Sequence, residues 1–161
     1  MSSGGASTST ATATLTFGDT EFDDVNNGTL TLVSTDGTSR VYTIRNDAGA
    51  STNLEFNAGA SASVPAANLA VAIAHADGHN GKLTTVVDGA KITITQAVAG
   101  ASGNTAITTA ASFDNACDVN IGGAFSGGTA STNSVYALLY NSTSTITSTN
   151  PGGATTNYRF N

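Results

Sequence analysis

The sequence predicts an α+β fold, mainly β, in which antiparallel β-hairpins form a sheet or small sandwich with one short Ala-rich helix at about residues 65–77. Three observations lead there. Short runs alternate polar and apolar residues, Asp-Gly dipeptides join two pairs of those runs, and a single stretch carries helical spacing.

Taken in order, residues 1–11 read as a polar N-terminal arm, and Thr12 to Phe17 (TATLTF) has strand chemistry. Thr29 to Ser34 (TLTLVS) alternates Leu30 and Leu32 with Thr, while Arg40 to Arg45 (RVYTIR) sets Tyr42 and Ile44 on one face. Asp36-Gly37 between them predicts a tight hairpin turn, because both residue types tolerate positive φ. Asn53 to Asn57 (NLEFN) is a short strand ended by Gly59. The helix follows, with Ser63 as N-cap, Pro65 early, a stripe of Ala66, Leu69, Ala70, Ile73 and Ala74, and Gly78 as its stop.

Lys82 to Val87 and Ala90 to Gln96 predict a second hairpin around Asp88-Gly89. The Gly-rich turn Ala99 to Gly103 leads to a further strand, Thr105 to Thr109. Val119, Ile121 and Phe125 are expected to cover a sheet edge, and Ser134 to Tyr140 (SVYALLY) reads as strand or short helix. The last twenty residues read as a polar tail. The domain boundaries expected are thus an arm at 1–11, a β-rich domain with one helix at 12–128, and a C-terminal extension or arm at 129–161.

Composition narrows the function classes. The apolar share is 39%, but Trp is absent, aromatics reach only 6% and Ala is abundant. Each buried position therefore removes little area, at about 25 cal/mol per Å², which suits thin, close layers or support from neighbouring chains. Charged residues make up 10%, well under the roughly 25% of an average domain. A neutral Thr-rich surface offers little repulsion to a packed neighbour. The net charge of −6 and the scattered Arg40, Arg45, Lys82, Lys91 and Arg159 argue against nucleic acid, which needs clustered cations.

No run approaches the roughly 18 apolar residues of a membrane span. Met1 to Thr14 has neither a basic nor an apolar signal region, so a secretory signal is not expected. Cys117 is single and has no internal disulfide partner. Without a signal, the sequons Asn27-Gly28-Thr29 and Asn141-Ser142-Thr143 read as chance matches in a Thr-rich chain.

Reactive chemistry is hard to assemble from this inventory. Only His75 and His79 offer imidazole bases, no nucleophile elbow or phosphate-binding glycine motif occurs, and Glu stands only at Glu21 and Glu55. No enzyme is expected, no catalytic, cofactor-binding or metal site is assigned, and no cofactor is implied. Two constellations carry residue types that ligate metals. His75-x-Asp77-x-His79 straddles the helix end and lacks a fourth ligand, so a helix stop leading into the Asn80-Gly81 turn is preferred. Asp19-Thr20-Glu21-Phe22-Asp23-Asp24 has oxygen ligands suited to Ca²⁺ but misses the EF-hand template. Counted from Asp19, its sixth position is Asp24 rather than Gly and its twelfth Leu30 rather than Glu. A solvated acidic loop is preferred, with other calcium geometries open.

The segments TLTLVSTDGTSRVYTI, NLEFNAG, PAANLAVAIAHADGHNGKLT and KITITQAVAGASGNTAITT together resemble a module recurrent in structural proteins of tailed-phage virions, especially marine ones. The resemblance covers about residues 29–109, half the chain. It implies a non-enzymatic virion protein in a capsid-associated, fibre or tail position, and it carries over no functional residue. The reading that follows is a capsid decoration or cement protein on the capsid surface. Its partners would be the major capsid protein or other virion proteins, with a homo-oligomer expected and neither nucleic acid nor membrane bound. The terminal arms are the expected contact segments. The alternatives are a tail or fibre component, or a module binding a host-surface glycan through Tyr42, Tyr136, Tyr140 and Tyr158.

Overall fold

The computed structural model describes residues 8–18, 27–46, 53–110, 113, 119–130, 139–140, 145–149, 153 and 155–159. The chain forms two compact units, Ser7–Ala130 and a second made of Met1–Ala6 with Ser131–Asn161.

The larger unit is mainly β, with two four-stranded sheets and one helix. Its elements are β1 (Thr12–Thr16), β2 (Thr29–Val33), β3 (Ser39–Arg45), β4 (Glu55–Asn57), α1 (Ser63–Ala74), β5 (Leu83–Asp88), β6 (Lys91–Gln96), β7 (Thr108–Thr109) and β8 (Asn120–Ile121). One sheet has the order β5-β6-β1-β8 and the other β4-β3-β2-β7. All pairings are antiparallel except β3 with β4.

Alternation decides which residues enter the core. β1 and its flanks send in Ala11, Ala13, Leu15 and Phe17, β2 sends Leu30 and Leu32, β3 Tyr42 and Ile44, and β6 Ile92 and Ile94. These join Phe56, Phe113, Phe125 and the buried stripe of the helix in one cluster, so both sheets enclose a single core. Phe17, Phe56 and Phe113 meet edge to face, with ring centroids 6.5, 6.4 and 6.4 Å apart. Such pairs add about 0.5–1.5 kcal/mol each beyond area burial.

Both predicted hairpins form, with turn chemistry that differs from the expectation. Gly37 alone takes a positive φ in the first. Asp36 instead uses its carboxylate, accepting from the Ser34 hydroxyl at 2.6 Å and the Thr38 N–H at 3.0 Å. In the second hairpin Asp88 is still in the strand, opposite Lys91, which leaves Gly89 and Ala90 as the loop. Gly89 adopts φ +56 at the first loop position, where a type II′ turn demands glycine.

The helix starts earlier and ends sooner than expected. Its N-cap is Ala62, with no side-chain cap bond, so Ser63 is the first helical residue and not the cap. Pro65 remains within the first turn, where its missing N–H has no intrahelical partner to lose. The buried stripe is Pro65, Ala66, Leu69, Ala72 and Ile73, whereas Ala74, at the last helical position, is exposed. Beyond His75 the chain turns back over the last turn, and the His79 N–H donates to Ile73 O at 2.8 Å. A Cβ on Gly78 would lie 2.3 Å from Ala72 O, so this close approach requires glycine. The helix packs mainly against β5 and β4, the edge strands of different sheets, and so closes one open side of the core.

Ser9 and Ala11, expected within a polar arm, join the larger unit. Ala11 is buried, Ser9 bridges to Thr129 and Thr12 to Ser126. The expected polar tail contains β-structure: β9 (Leu139–Tyr140), β10 (Thr145–Thr149) and β11 (Thr155–Arg159) form an antiparallel sheet in the order β11-β10-β9. Of Thr105 to Thr109 only Thr108–Thr109 is strand. Within Ser134 to Tyr140, residues 134–138 lie outside the described residues.

Candidate functional site

Polar side chains concentrate where the β2–β3 loop meets the second hairpin. Lys82, just before β5, places its ammonium 2.8 Å from Asp36 Oδ2 and donates to Thr38 Oγ1 at 2.5 Å. The Lys82 hydrogen bond, then those from Ser34 and Thr38, hold the Asp36 carboxyl well below the usual carboxylate range.

Behind this exposed pair lies a buried one. His79 and Tyr42 are both fully buried. His79 Nε2 is 3.0 Å from the Thr38 carbonyl, which can only accept, so Nε2 carries the proton. Nδ1 is then the acceptor, and the Tyr42 hydroxyl donates to it at 2.7 Å. This arrangement fixes a neutral imidazole. Burial pushes the His79 pKa down and the Tyr42 pKa up.

Gln96 makes the third tie. Its position after Ile92 and Ile94 points it inward from β6. Its Oε1 accepts from the Thr35 N–H at 2.8 Å and the Thr35 hydroxyl at 3.0 Å. Its Nε2 donates to Val33 O at 2.9 Å and Thr105 Oγ1 at 3.4 Å. The amide is thus fully used in joining one sheet to the loop of the other. Among the described residues no buried side-chain polar atom lacks a partner. A satisfied network of this kind specifies one packing arrangement.

This network draws His79 away from His75 and Asp77, whose side chains lie 3.6 Å apart. His79 spends both ring nitrogens on Tyr42 and Thr38. His75 turns its Nδ1 to Asp77, accepting from the Asp77 N–H at 3.2 Å, while the Asp77 carboxylate accepts from Asn53. His75, Asp77 and His79 therefore do not converge, and among the described residues no group of three His, Cys, Asp or Glu could hold a metal ion. Asp19 to Asp24 lie outside the described residues.

Tyr42 was expected as a surface for stacking a glycan, and its burial against His79 removes it from that role. Tyr136 lies outside the described residues, whereas Tyr140 and Tyr158 both pair in register with Ile146. The described cations Arg40, Arg45, Lys82 and Lys91 each have a partner of their own. Arg40 donates to Asp77 O at 2.9 Å, Arg45 lies 3.1 Å from Glu55, Lys82 pairs with Asp36, and Lys91 faces Asp88.

Two features escaped the sequence reading, Gln96 and Phe113. The first was signalled by the inward parity of Lys91–Gln96, and the second had no periodic neighbours to reveal it. Comparison with protein-family models, curated proteins and solved structures finds no match to this chain. No helix among the described residues is long and apolar enough to cross a membrane.

Proposed function

We propose that this chain is a non-enzymatic structural protein of a tailed-phage virion, a decoration or cement protein that coats the capsid through protein–protein contacts. The observation that carries this reading is the character of the outer sheet faces. In the first sheet Thr12 lies opposite Thr95, Thr14 opposite Thr93, and Val86 continues the second row. The second sheet turns Thr29, Thr31, Val41 and Thr43 outward. These β-branched stretches carry charge only where Lys91 faces Asp88 and Arg45 meets Glu55, so the rest of each face packs against another protein with little desolvation of charge. The resemblance of residues 29–109 to virion modules supports the same reading.

Mass spectrometry of purified virions, with heads and tails separated, tests it. High copy number in the head fraction is expected. Absence from particles overturns the proposal, and a few copies confined to tails replaces the capsid assignment with a tail or fibre component.

Glycan recognition is the second reading, favoured by one specific feature. Tyr140, Ile146 and Tyr158 occupy a single cross-strand row of the C-terminal sheet. Binding on a glycan array that is lost in Tyr140→Ala and Tyr158→Ala would establish it.

A further inference from the structure

The sequence holds two Asn-Gly dipeptides, Asn27-Gly28 and Asn80-Gly81. Asn is a thermolabile residue, because the main-chain nitrogen of the residue that follows can attack its side-chain carbonyl carbon. Glycine in that place has no Cβ, which leaves the nitrogen unshielded and the backbone free to rotate. The fold treats the two dipeptides differently.

Asn27-Gly28 is held in place. The Asn27 carboxamide oxygen accepts from Arg45, the Asn27 N–H donates to Ile44 O at 3.0 Å, and the Ile44 N–H donates to Gly28 O at 2.9 Å. Gly28 is buried, and a Cβ there would lie 3.0 Å from Phe113 Cα. Attack requires rotation about the Asn27 Cα–C bond, which would break these bonds and press the chain against Phe113.

Asn80-Gly81 lies at the tip of the turn between α1 and β5. Both residues are exposed, and a Cβ on Gly81 would meet nothing within 4 Å. Among the described residues neither the Asn80 carboxamide nor the Gly81 N–H has a hydrogen-bond partner. The turn is closed around this peptide by the N–H groups of Lys82 and Leu83, which donate to His79 O at 2.8 and 3.1 Å. The same rotation here strains those two bonds and no buried group of either residue.

We propose that Asn80-Gly81 is a site of self-modification, at which the folded chain converts to an isoaspartyl form. The Gly81 nitrogen gives its proton to solvent and attacks Asn80 Cγ. A bond forms between them, the Cγ–Nδ2 bond breaks, and the carboxamide nitrogen leaves as ammonia. Water then opens the succinimide. Addition at Cγ gives aspartate, whereas addition at the main-chain carbonyl gives isoaspartate, with the chain running through Cβ and Cγ. That extra methylene falls between two pinned points. His79 is held through its ring by Tyr42 and Thr38, and Lys82 through its ammonium by Asp36. The isoaspartyl form therefore loosens the clasp between this turn and the β2–β3 loop. Water is the only co-reactant, and the inference does not depend on where the chain works.

Peptide mapping of the full chain after incubation at pH 8, folded and in urea side by side, tests the site. In urea both dipeptides should convert at similar rates. In the folded chain Asn80 should convert at least tenfold faster than Asn27, and Gly81→Ala should slow conversion at Asn80 about tenfold by shielding the nitrogen. The isoaspartyl form, separated by chromatography, should unfold at lower urea than the fresh chain. Asn80→Asp, which gains the charge without the methylene, should unfold near the fresh chain, and Asn80→Gln should keep its midpoint on ageing. Conversion at Asn27 as fast as at Asn80, or an Asn80 that stays intact in the folded chain, overturns the site. An isoaspartyl form with the midpoint of the fresh chain overturns the loosened clasp.

Discussion

The Tyr42 hydroxyl donates to Nδ1 of His79 at 2.7 Å in a core that exposes neither residue. The Thr38 carbonyl accepts from the ring's one N–H, at Nε2, so the imidazole has no vacant position for a second proton unless Tyr42 reverses its hydroxyl. Burial disfavours a further positive charge on the ring, as do nearby Arg40 and Lys82, against the opposing pull of the Thr38 carbonyl and the Asp36 carboxylate.

Acid should therefore destabilise the fold through His79. Its folded pKa lies below the usual 6.5, so the unfolded chain takes up the proton first. The contribution is fully present above that value and is lost as pH falls below it toward the folded pKa. Asp36, whose folded pKa is also depressed, acts in the same direction below 3.8. Urea unfolding at pH 8, 7, 6 and 5 should give falling midpoints, and His79→Gln should flatten the pH 7 to 5 portion.

Tyr42→Phe should cost about 1–3 kcal/mol, because it leaves His79 Nδ1 buried without a donor. Chemical denaturation measures the loss. In the double variant with His79→Leu the two losses should fall short of additive by about 0.5–3 kcal/mol, the signature of direct contact.

Gln96→Leu keeps the volume of the side chain while stranding the Thr35 N–H and leaving Val33 O with the Thr105 hydroxyl as its donor. A loss of about 2 kcal/mol is expected in the same measurement. Gln96→Glu should also destabilise at neutral pH, since a carboxylate facing Val33 O has no proton to donate.

Gly78→Ala should lower stability by about 1–3 kcal/mol, as the added methyl meets the Ala72 carbonyl at the helix end. At Gly81 a Cβ meets nothing within 4 Å, so Gly81→Ala carries only the cost of its φ of +71. Thermal melts should rank Gly78→Ala as the more harmful.

Much of this architecture was legible because the signals are local. The alternation of Leu30 with Leu32 and of Ile92 with Ile94 specifies an inward face, and each hairpin is closed by residues a few positions apart. Tyr42 was misjudged as a surface ring although its spacing from Ile44 already marked it as inward. The partnership of β1 with β6 and the parallel docking of β4 on β3 join segments with no local signature of each other. In Thr145–Thr149 only Ile146 is apolar, too little alternation to distinguish strand from polar tail.

The placement of β1 between β6 and β8 has a temporal consequence. Thr12 lies opposite Thr95 and Thr16 opposite Asn120, so β1, synthesised before both of its neighbours, waits for them. At 5–20 residues per second the wait is on the order of ten seconds. During that interval Ala13, Leu15 and Phe17 have no sheet to enter, while the β2–β3 hairpin can already close. The strand at the centre of the finished sheet is among the last to be seated.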